Sequence, residues 1–359
     1  MKNNITEYTF FRKISLLTLI AVYFLILVGG IVRSTGAGMG CPDWPKCFGQ
    51  WIPPASEEML PDNYKEQYVN DRIAKNQKFA GYLEMFGFEK QAEIIRTDNS
   101  IRQETTFNVM RTWTEYVNRI VGVVIGLLII VNLAASVKFL KSDPAVFIWS
   151  AILFILVVFQ GWIGSIVVST HLTPWMVTLH MLIAVLIIAI LVYLVFRSRK
   201  AELHIRQINH HRFLNMLLVI SGLMIVFQIL LGTQVREAID MISSALNYNH
   251  REAWIGSLGT GFYIHRSFSL VLLAVQVGIL INLYMNRVVA GKIYDFARFL
   301  LMLVVLEVGL GVIMAYFGIP PFIQPLHLLI GILIFGVQFL MILMVNNKKI
   351  VRAEKKVLA

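Results

Sequence analysis

The sequence predicts an all-α membrane protein with eight transmembrane helices, built as two parallel four-helix-bundle repeats about a pseudo-two-fold axis along the membrane normal. Of its 359 residues, 57% are hydrophobic and only 15% are charged, which excludes an ordinary soluble domain. Crossing a bilayer takes roughly 20 apolar residues. Eight runs of about that length cover residues 14–32, 117–137, 146–168, 175–196, 213–235, 264–285, 296–317 and 325–345.

An internal repeat predicts how these helices are grouped. Residues 115–180 recur as residues 262–327 at a constant spacing of 147. The matched pairs are Asn118 and His265, Arg119 and Arg266, Gly164 and Gly311, Pro174 and Pro321, and His180 and His327. Each repeat contains four helices, and an even number preserves orientation, so the repeats are parallel rather than inverted. We therefore expect an N-terminal half at 1–200 and a C-terminal half at 201–359.

The basic residues predict the orientation of the chain in the membrane. Every second connection is basic, at Lys2 to Lys13, Lys138 to Lys141, Arg197 to Arg212, Arg287 to Arg298 and Lys348 to Lys356. The turns at 169–174 and 318–325 contain no Lys or Arg. By the positive-inside rule both termini are cytoplasmic, and this topology explains the net charge of +11 without a nucleic-acid partner. The first run ends at Arg33 without a small-residue cleavage site, so we expect a retained helix.

The long outer loop of the first half, residues 34–112, is the candidate extramembrane segment. It contains both cysteines of the chain, Cys41 and Cys47. An oxidising compartment permits a disulfide between them. Their spacing leaves open whether this disulfide staples the loop or exchanges with other thiols.

Four polar residues occupy matching positions in the first turns of the even-numbered helices, near the outer surface. They are Asn118, His180, His265 and His327. One histidine in a membrane helix often serves only to hydrogen-bond a neighbouring helix. Four matched positions instead favour two equivalent sites, one inside each bundle. Two histidines on facing helices suit the axial positions of a heme, so we predict a bis-histidine heme between His265 and His327.

The first site differs from the second in two positions. Asn118 is a poor iron ligand, so iron there would be held through His180 alone. Glu115 lies three residues before Asn118 on the same helical face, where the second copy has Phe262. A carboxylate at an apolar, heme-sized cavity predicts chemistry, although a glutamate there also suits the positive end of the helix dipole. This asymmetry predicts that one half holds a cofactor and the other performs a reaction.

Several other polar residues have alternative interpretations. Four arginines at the outer level either pair with heme propionates or extend to lipid headgroups: Arg33, Arg119, Arg236 and Arg266. Glu307, which aligns with Gln160, either relays protons or bonds between helices, and we prefer the second. The remaining histidines are expected to be solvated or interfacial, with His171 near the mouth of the first site: His171, His204, His210, His211 and His250.

Together these residues resemble the heme A synthases, membrane enzymes that convert heme O to heme A for cytochrome oxidases. The motifs that carry the resemblance are Gly29-Gly30 with Arg33 through Gly38, the Cys41 to Cys47 segment, Glu115-Tyr116 with Arg119, His180, His265-Arg266 and His327. The resemblance implies heme B held by His265 and His327, and a heme O pocket in the first half. In that pocket it makes Glu115 the catalytic carboxylate and His180 one of two histidines. The chain departs from the family at Asn118 and lacks a second outer cysteine pair.

The resemblance implies an oxidoreductase of the bacterial plasma membrane that oxidises a methyl group of heme O to a formyl group. Its sites lie near the outer face, and it implies two hydroxylations followed by loss of water. Compatible partners are heme O synthase, cytochrome oxidase assembly factors, membrane lipid and further copies of the chain. Two alternatives stay open: a di-heme cytochrome carrying electrons from quinol, which Asn118 argues against, and a heme-delivery assembly protein, which would not need Glu115.

Overall fold

The computed structural model describes residues 2–104, 106–170, 172–199, 211–246, 249–285 and 291–346. Within these ranges the chain forms eleven α-helices and no strand. They are α1 (Lys2–Ser34), α2 (Tyr64–Met85), α3 (Glu89–Thr97), α4 (Val109–Ser136), α5 (Pro144–Ser169), α6 (Pro174–Arg199), α7 (His211–Ala245), α8 (Arg251–Gly256), α9 (Thr260–Met285), α10 (Lys292–Tyr316) and α11 (Ile323–Val345). His171, His204, His210 and the boundary between the predicted halves lie outside the described residues.

Eight of these helices are long and apolar enough to cross a membrane: α1, α4, α5, α6, α7, α9, α10 and α11. The predicted all-α membrane class and its eight spans are confirmed. Local signals explain where several helices begin. Proline occupies the first turn of α5 and the start of α6, where its missing N–H costs nothing. The side chain of Asn108 caps α4 by accepting a hydrogen bond from the Arg111 N–H at 3.0 Å.

Each half of the membrane domain forms a closed ring of four helices. In the first ring α1 packs on α4, α4 on α5, α5 on α6, and α6 on α1. In the second ring α7, α9, α10 and α11 pack on one another in the same order. The turns that close the repeats also match, since Leu172 and Ile319, 147 residues apart, have positive φ values of 64° and 55°. These matches support the predicted two-fold repeat, and its axis stays a prediction.

The two rings meet through α6 and α11. Helix α11 contacts both α1 and α6, and α6 also contacts α7. The most apolar segments of α6 and α11 are 50% and 44% buried, against 17% to 33% for the other spans. The outer helices leave large apolar side chains exposed, such as Ile155 on α5 and Leu270 on α9. An apolar exposed surface of this kind suits contact with lipid tails.

The long loop between α1 and α4 folds into a small helical cap formed by α2 and α3. Arg72 on α2 is 2% exposed and donates to the carbonyl groups of Ile101 and Gln103 at 3.2 and 3.0 Å. Asn76 on α2 donates to the Ser169 carbonyl at the C-terminal end of α5, at 2.6 Å. The cap is therefore tied both to its own loop and to the first bundle.

Candidate functional site

The structure brings His265 on α9 and His327 on α11 together in the second half. Their ring centroids are 6.4 Å apart and their planes are inclined by 77°. Two imidazoles that share one metal ion through bonds of roughly 2.0 Å have ring centroids about 6 Å apart. The spacing of the two rings would therefore allow both to bind one metal ion.

In the first half, Asn118 on α4 and His180 on α6 present buried polar atoms. Asn118 Oδ1 and His180 Nδ1 lack a hydrogen-bond partner among the described residues. A buried polar atom left without a partner costs about 1–3 kcal/mol, so its presence needs an explanation. A bound polar or metal-containing ligand would supply one.

A glycine from the neighbouring helix faces each of the four repeat positions. A Cβ atom at the glycine would lie 3.9 Å from Asn118 Oδ1, 3.5 Å from His180 Cε1, 3.3 Å from His265 Cε1 and 3.7 Å from His327 Cε1. The glycines are, in the same order, Gly29, Gly164, Gly232 and Gly311. The repeat in the sequence identified Gly164 and Gly311 as a matched pair, but not their purpose. The structure shows that they leave space beside the rings.

Glu115 on α4 is 3% exposed and anchors the cysteine loop. Its Oε2 accepts the Cys41 N–H at 2.7 Å, and its Oε1 accepts from Arg119 Nη2 at 2.5 Å. Arg119 also donates to the carbonyl groups of Asp43, Lys46 and Cys41, at 2.7, 2.8 and 3.2 Å. The carboxylate and the guanidinium thus hold the loop against the N-terminal part of α4, an arrangement with no counterpart in the sequence prediction.

The predicted disulfide between Cys41 and Cys47 is confirmed. Both residues are buried, at 0% and 1% exposure, so the bond is closed to an approaching thiol and the stapling interpretation is favoured. Gly40 precedes the bond, and a Cβ there would overlap the backbone of Arg111 on α4. Next to the loop, burial and the neighbouring carboxylates of Asp43 and Asp71 raise the pKa of Tyr68 to about 12.

The outer arginines are engaged with protein groups. Arg33 from the first half and Arg236 from the second each bind a different oxygen of Asp240, both at 2.7 Å. Arg236 also donates to Gln324. Arg266 instead lies over the rings of Phe262 and Tyr263, 5.9 and 5.4 Å from their centroids. The sequence predicted propionates or lipid headgroups as their partners, whereas the structure joins Arg33 and Arg236 through Asp240 across the two halves.

Glu307 and Gln160 occupy matching positions on α10 and α5 but make different contacts. Glu307 Oε1 lies 3.1 Å from His327 Nδ1. Gln160 Nε2 donates to the main-chain carbonyl of His180 at 2.9 Å and does not bond the ring. Glu307 thus lies beside one of the facing histidines across two helices, without a hydrogen bond of regular geometry to its ring. The preferred role for Glu307, a bond between helices, stays a prediction.

Comparison with known proteins identifies relatives along most of the chain. It is 26% identical over 216 residues to the heme A synthase of Shewanella oneidensis, covering 60% of this chain and 54% of that protein. It is 25% and 23% identical to the heme A synthases of Rickettsia felis and Rickettsia prowazekii, covering 94% of this chain and 96% of each relative. The chain thus matches about half the length of the first relative and nearly all of the other two.

The family match covers both halves of the chain. Residues 12–87 and 82–339 match the profile of the COX15-CtaA family, described as cytochrome oxidase assembly protein. This agrees with the relatives named above and confirms the resemblance found in the sequence. The chain therefore belongs to the COX15-CtaA family of cytochrome oxidase assembly proteins.

Proposed function

We propose that this protein is a heme A synthase, a membrane oxidoreductase that oxidises a ring methyl of heme O to a formyl group. The observation that carries the proposal is the asymmetry between two halves of the same design. The second half has two facing histidines, His265 and His327, whose ring centroids are 6.4 Å apart. The matching positions of the first half hold Asn118 and His180, with the buried carboxylate of Glu115 on the same helix as Asn118. One site suits a resident cofactor and the other a substrate.

The cofactor of this proposal is heme B, held by His265 and His327. The residues present fit the group, because the rings have the spacing of axial ligands and Gly232 and Gly311 leave space beside them. Bound there, heme B supplies one-electron transfer. Arg236 and Arg266 lie near the outer ends of the same bundle and suit its propionates, with Asp240 as the group that a propionate would displace from Arg236.

In the first half, His180 orients the substrate heme O through its iron, with Arg33 and Arg119 at the outer level. Asn118 offers an amide oxygen that is buried without a partner among the described residues, so it is available to accept a hydrogen bond from the substrate or from water. Glu115 either orients the reacting edge of the substrate or removes a proton from it. Through Cys41 it also keeps the loop closed over the outer end of the bundle, which favours exclusion of bulk water.

The proposed setting is a bacterial plasma membrane, with both termini cytoplasmic and both heme sites near the outer face. The basic connections support this orientation. Heme O synthase is the partner expected to supply the substrate, and cytochrome oxidase assembly factors are expected to receive the product. Self-association into a homo-oligomer is compatible with this scheme.

The proposed function is tested by extracting hemes from cells that lack their own heme A synthase and express this chain. Mass analysis is carried out with and without a co-expressed source of heme O. Heme A that forms only when heme O is supplied supports the enzyme. Heme B alone, with heme O present and unchanged, would favour the electron carrier and end the proposal.

Replacing Gly232 by valine is expected to reduce heme content by about ten-fold or more, a loss typical of disturbed ligand geometry. A Cβ added at this position would lie 3.3 Å from His265 Cε1, so the two methyl groups of valine would force the ring to move. Gly278→Val on α9 is the matched control, since a Cβ at Gly278 meets nothing within 4 Å. Heme per protein, measured by pyridine hemochromogen absorbance, separates the two variants, and equal heme content in both would contradict the assignment.

A further inference from the structure

We propose that Glu307 is the positioning residue that makes the second site a resident heme site, and that glutamine at the matching position 160 leaves the first site exchangeable. The inference rests on the proposed function, in which His327 is an axial ligand of the cofactor and His180 a ligand of the substrate. It concerns how firmly each half holds its heme.

The contact between Glu307 and His327 joins two neighbouring helices, α10 and α11. Glu307 Oε1 lies 3.1 Å from His327 Nδ1, and the two side chains are 19% and 23% exposed. The same oxygen would lie 3.1 Å from a Cβ at Gly331, one turn beyond His327, so glycine makes room for the carboxylate. The other carboxylate oxygen of Glu307 is buried without a partner among the described residues. His327 Nδ1 is therefore the polar atom recorded next to this carboxylate, at a distance from which a small rotation of either side chain makes a hydrogen bond.

In the first half the matching residue, Gln160, bonds to the main chain of the histidine instead of to its ring. Gln160 Nε2 donates to the His180 carbonyl at 2.9 Å. Among the described residues, the Nδ1 atoms of His180 and His327 are both buried without a hydrogen bond of regular geometry, and the difference is the carboxylate oxygen that lies 3.1 Å from His327 Nδ1. Gln228 on α7 makes the same kind of bond to the His265 carbonyl, at 3.0 Å. A glutamine at this level thus fastens one helix to the next, whereas Glu307 acts on the imidazole itself.

A carboxylate at Nδ1 changes the imidazole as an iron ligand. Accepting the Nδ1–H bond fixes the tautomer that leaves Nε2 free to bind metal, and it raises the basicity of that nitrogen. A more basic ligand stabilises the ferric iron, which carries more charge, over the ferrous iron. His327 therefore binds heme firmly and lowers its reduction potential. His180, without such an acceptor, is a weaker ligand, which suits a heme that must leave as product.

The first test is the Glu307→Gln variant of the full chain, purified with its heme. An isosteric amide keeps the packing but loses the charge, so we expect heme transfer to apomyoglobin to accelerate about ten-fold. The midpoint potential of the heme is expected to rise, by about 59 mV for each tenfold preferential loss of ferric over ferrous binding. Glu307→Asp restores a carboxylate and is expected to recover part of the potential. An unchanged potential in Glu307→Gln would overturn the proposal.

The second test is the reciprocal Gln160→Glu variant, which places a carboxylate near His180. A heme bound in the first half is then expected to remain through purification, so heme per chain rises above the wild-type value. No increase would overturn the part of the proposal that concerns the first site. Neither readout requires heme A formation. Wild-type protein that holds a bis-histidine heme but makes no heme A would end the proposed function alone, and wild-type protein without bound heme would overturn both.

Discussion

Replacing Glu115 by glutamine is expected to abolish heme A formation while leaving the heme of the second half in place. General acid–base catalysis by a positioned side chain contributes about 10²- to 10⁴-fold to a rate, and we expect a loss of that size. The change is sterically small but electrostatically severe. Both oxygens of Glu115 accept hydrogen bonds, from the Cys41 N–H and from Arg119, and the amide group would turn a donor towards one of these donors. The measurement is heme A formed per enzyme with excess heme O.

The control for this variant separates chemistry from loop anchoring. Removing one partner of a buried ion pair destabilises a protein by about 3–5 kcal/mol, so a lost rate alone would be ambiguous. Arg119→Gln breaks the same pair, whose side chains are 12% and 4% exposed, but keeps the carboxylate. If Glu115 is only an anchor, both variants lose activity equally and their effects are not additive. If it is catalytic, Glu115→Gln loses far more at equal thermal stability. A formyl-heme yield unchanged in Glu115→Gln would remove the residue from the mechanism.

The membrane helices were predictable because a bilayer leaves the chain few choices. Backbone groups in lipid must be satisfied within the segment, so long apolar runs become helices. The ends were less predictable. The run predicted at 117–137 becomes a span of Val109–Phe139, because the polar turns around Thr112 and Glu115 stay helical under the Asn108 cap. Hydropathy finds the apolar part of a helix and misses the polar turns that continue it.

Only those residues of the candidate site that occupy matched positions of the repeat were predictable from the sequence. Matched positions identified the histidines, and the structure brings His265 and His327 together. The partners of Glu115 were beyond sequence reasoning, since Cys41 lies 74 residues away on a loop without periodicity. Asp240 was missed for the same reason, because only the packing of the two halves places it between two arginines. Contacts that a helix makes with a distant loop or with the other half produce no periodic pattern in the sequence.

The pairing of Glu307 with Gln160 is a sequence difference whose meaning depends on the structure. Their alignment predicts that the halves differ at this level, and both a proton relay and a bond between helices suit a glutamate there. The partner became visible once α10 and α11 were placed side by side, with Gly331 opposite the carboxylate. A charged residue at a repeat position where its copy is neutral thus indicates how the two sites differ.

Replacing His265 by alanine is expected to remove the cofactor heme and with it the low-spin spectrum of a bis-histidine iron. The α9 and α11 backbones should persist, because the contacts of Gln228 with the residue 265 carbonyl and of Glu307 with His327 do not involve the lost ring. The vacated volume should admit free imidazole, which restores the spectrum when added during reconstitution with heme B. Rescue of this kind distinguishes a lost ligand from a misfolded bundle.

His250→Ala provides the matched control for this experiment. Its side chain is 71% exposed and lies at the start of α8, 3.4 Å from Glu252, so its loss should leave heme content unchanged. Full heme retention in His265→Ala would refute the ligand assignment, and the same loss in His250→Ala would show a general effect on folding. A third variant, His180→Ala in the first half, completes the experiment. If His180→Ala keeps the low-spin heme while His265→Ala loses it, then the two halves hold their hemes independently, as a cofactor site beside a substrate site requires.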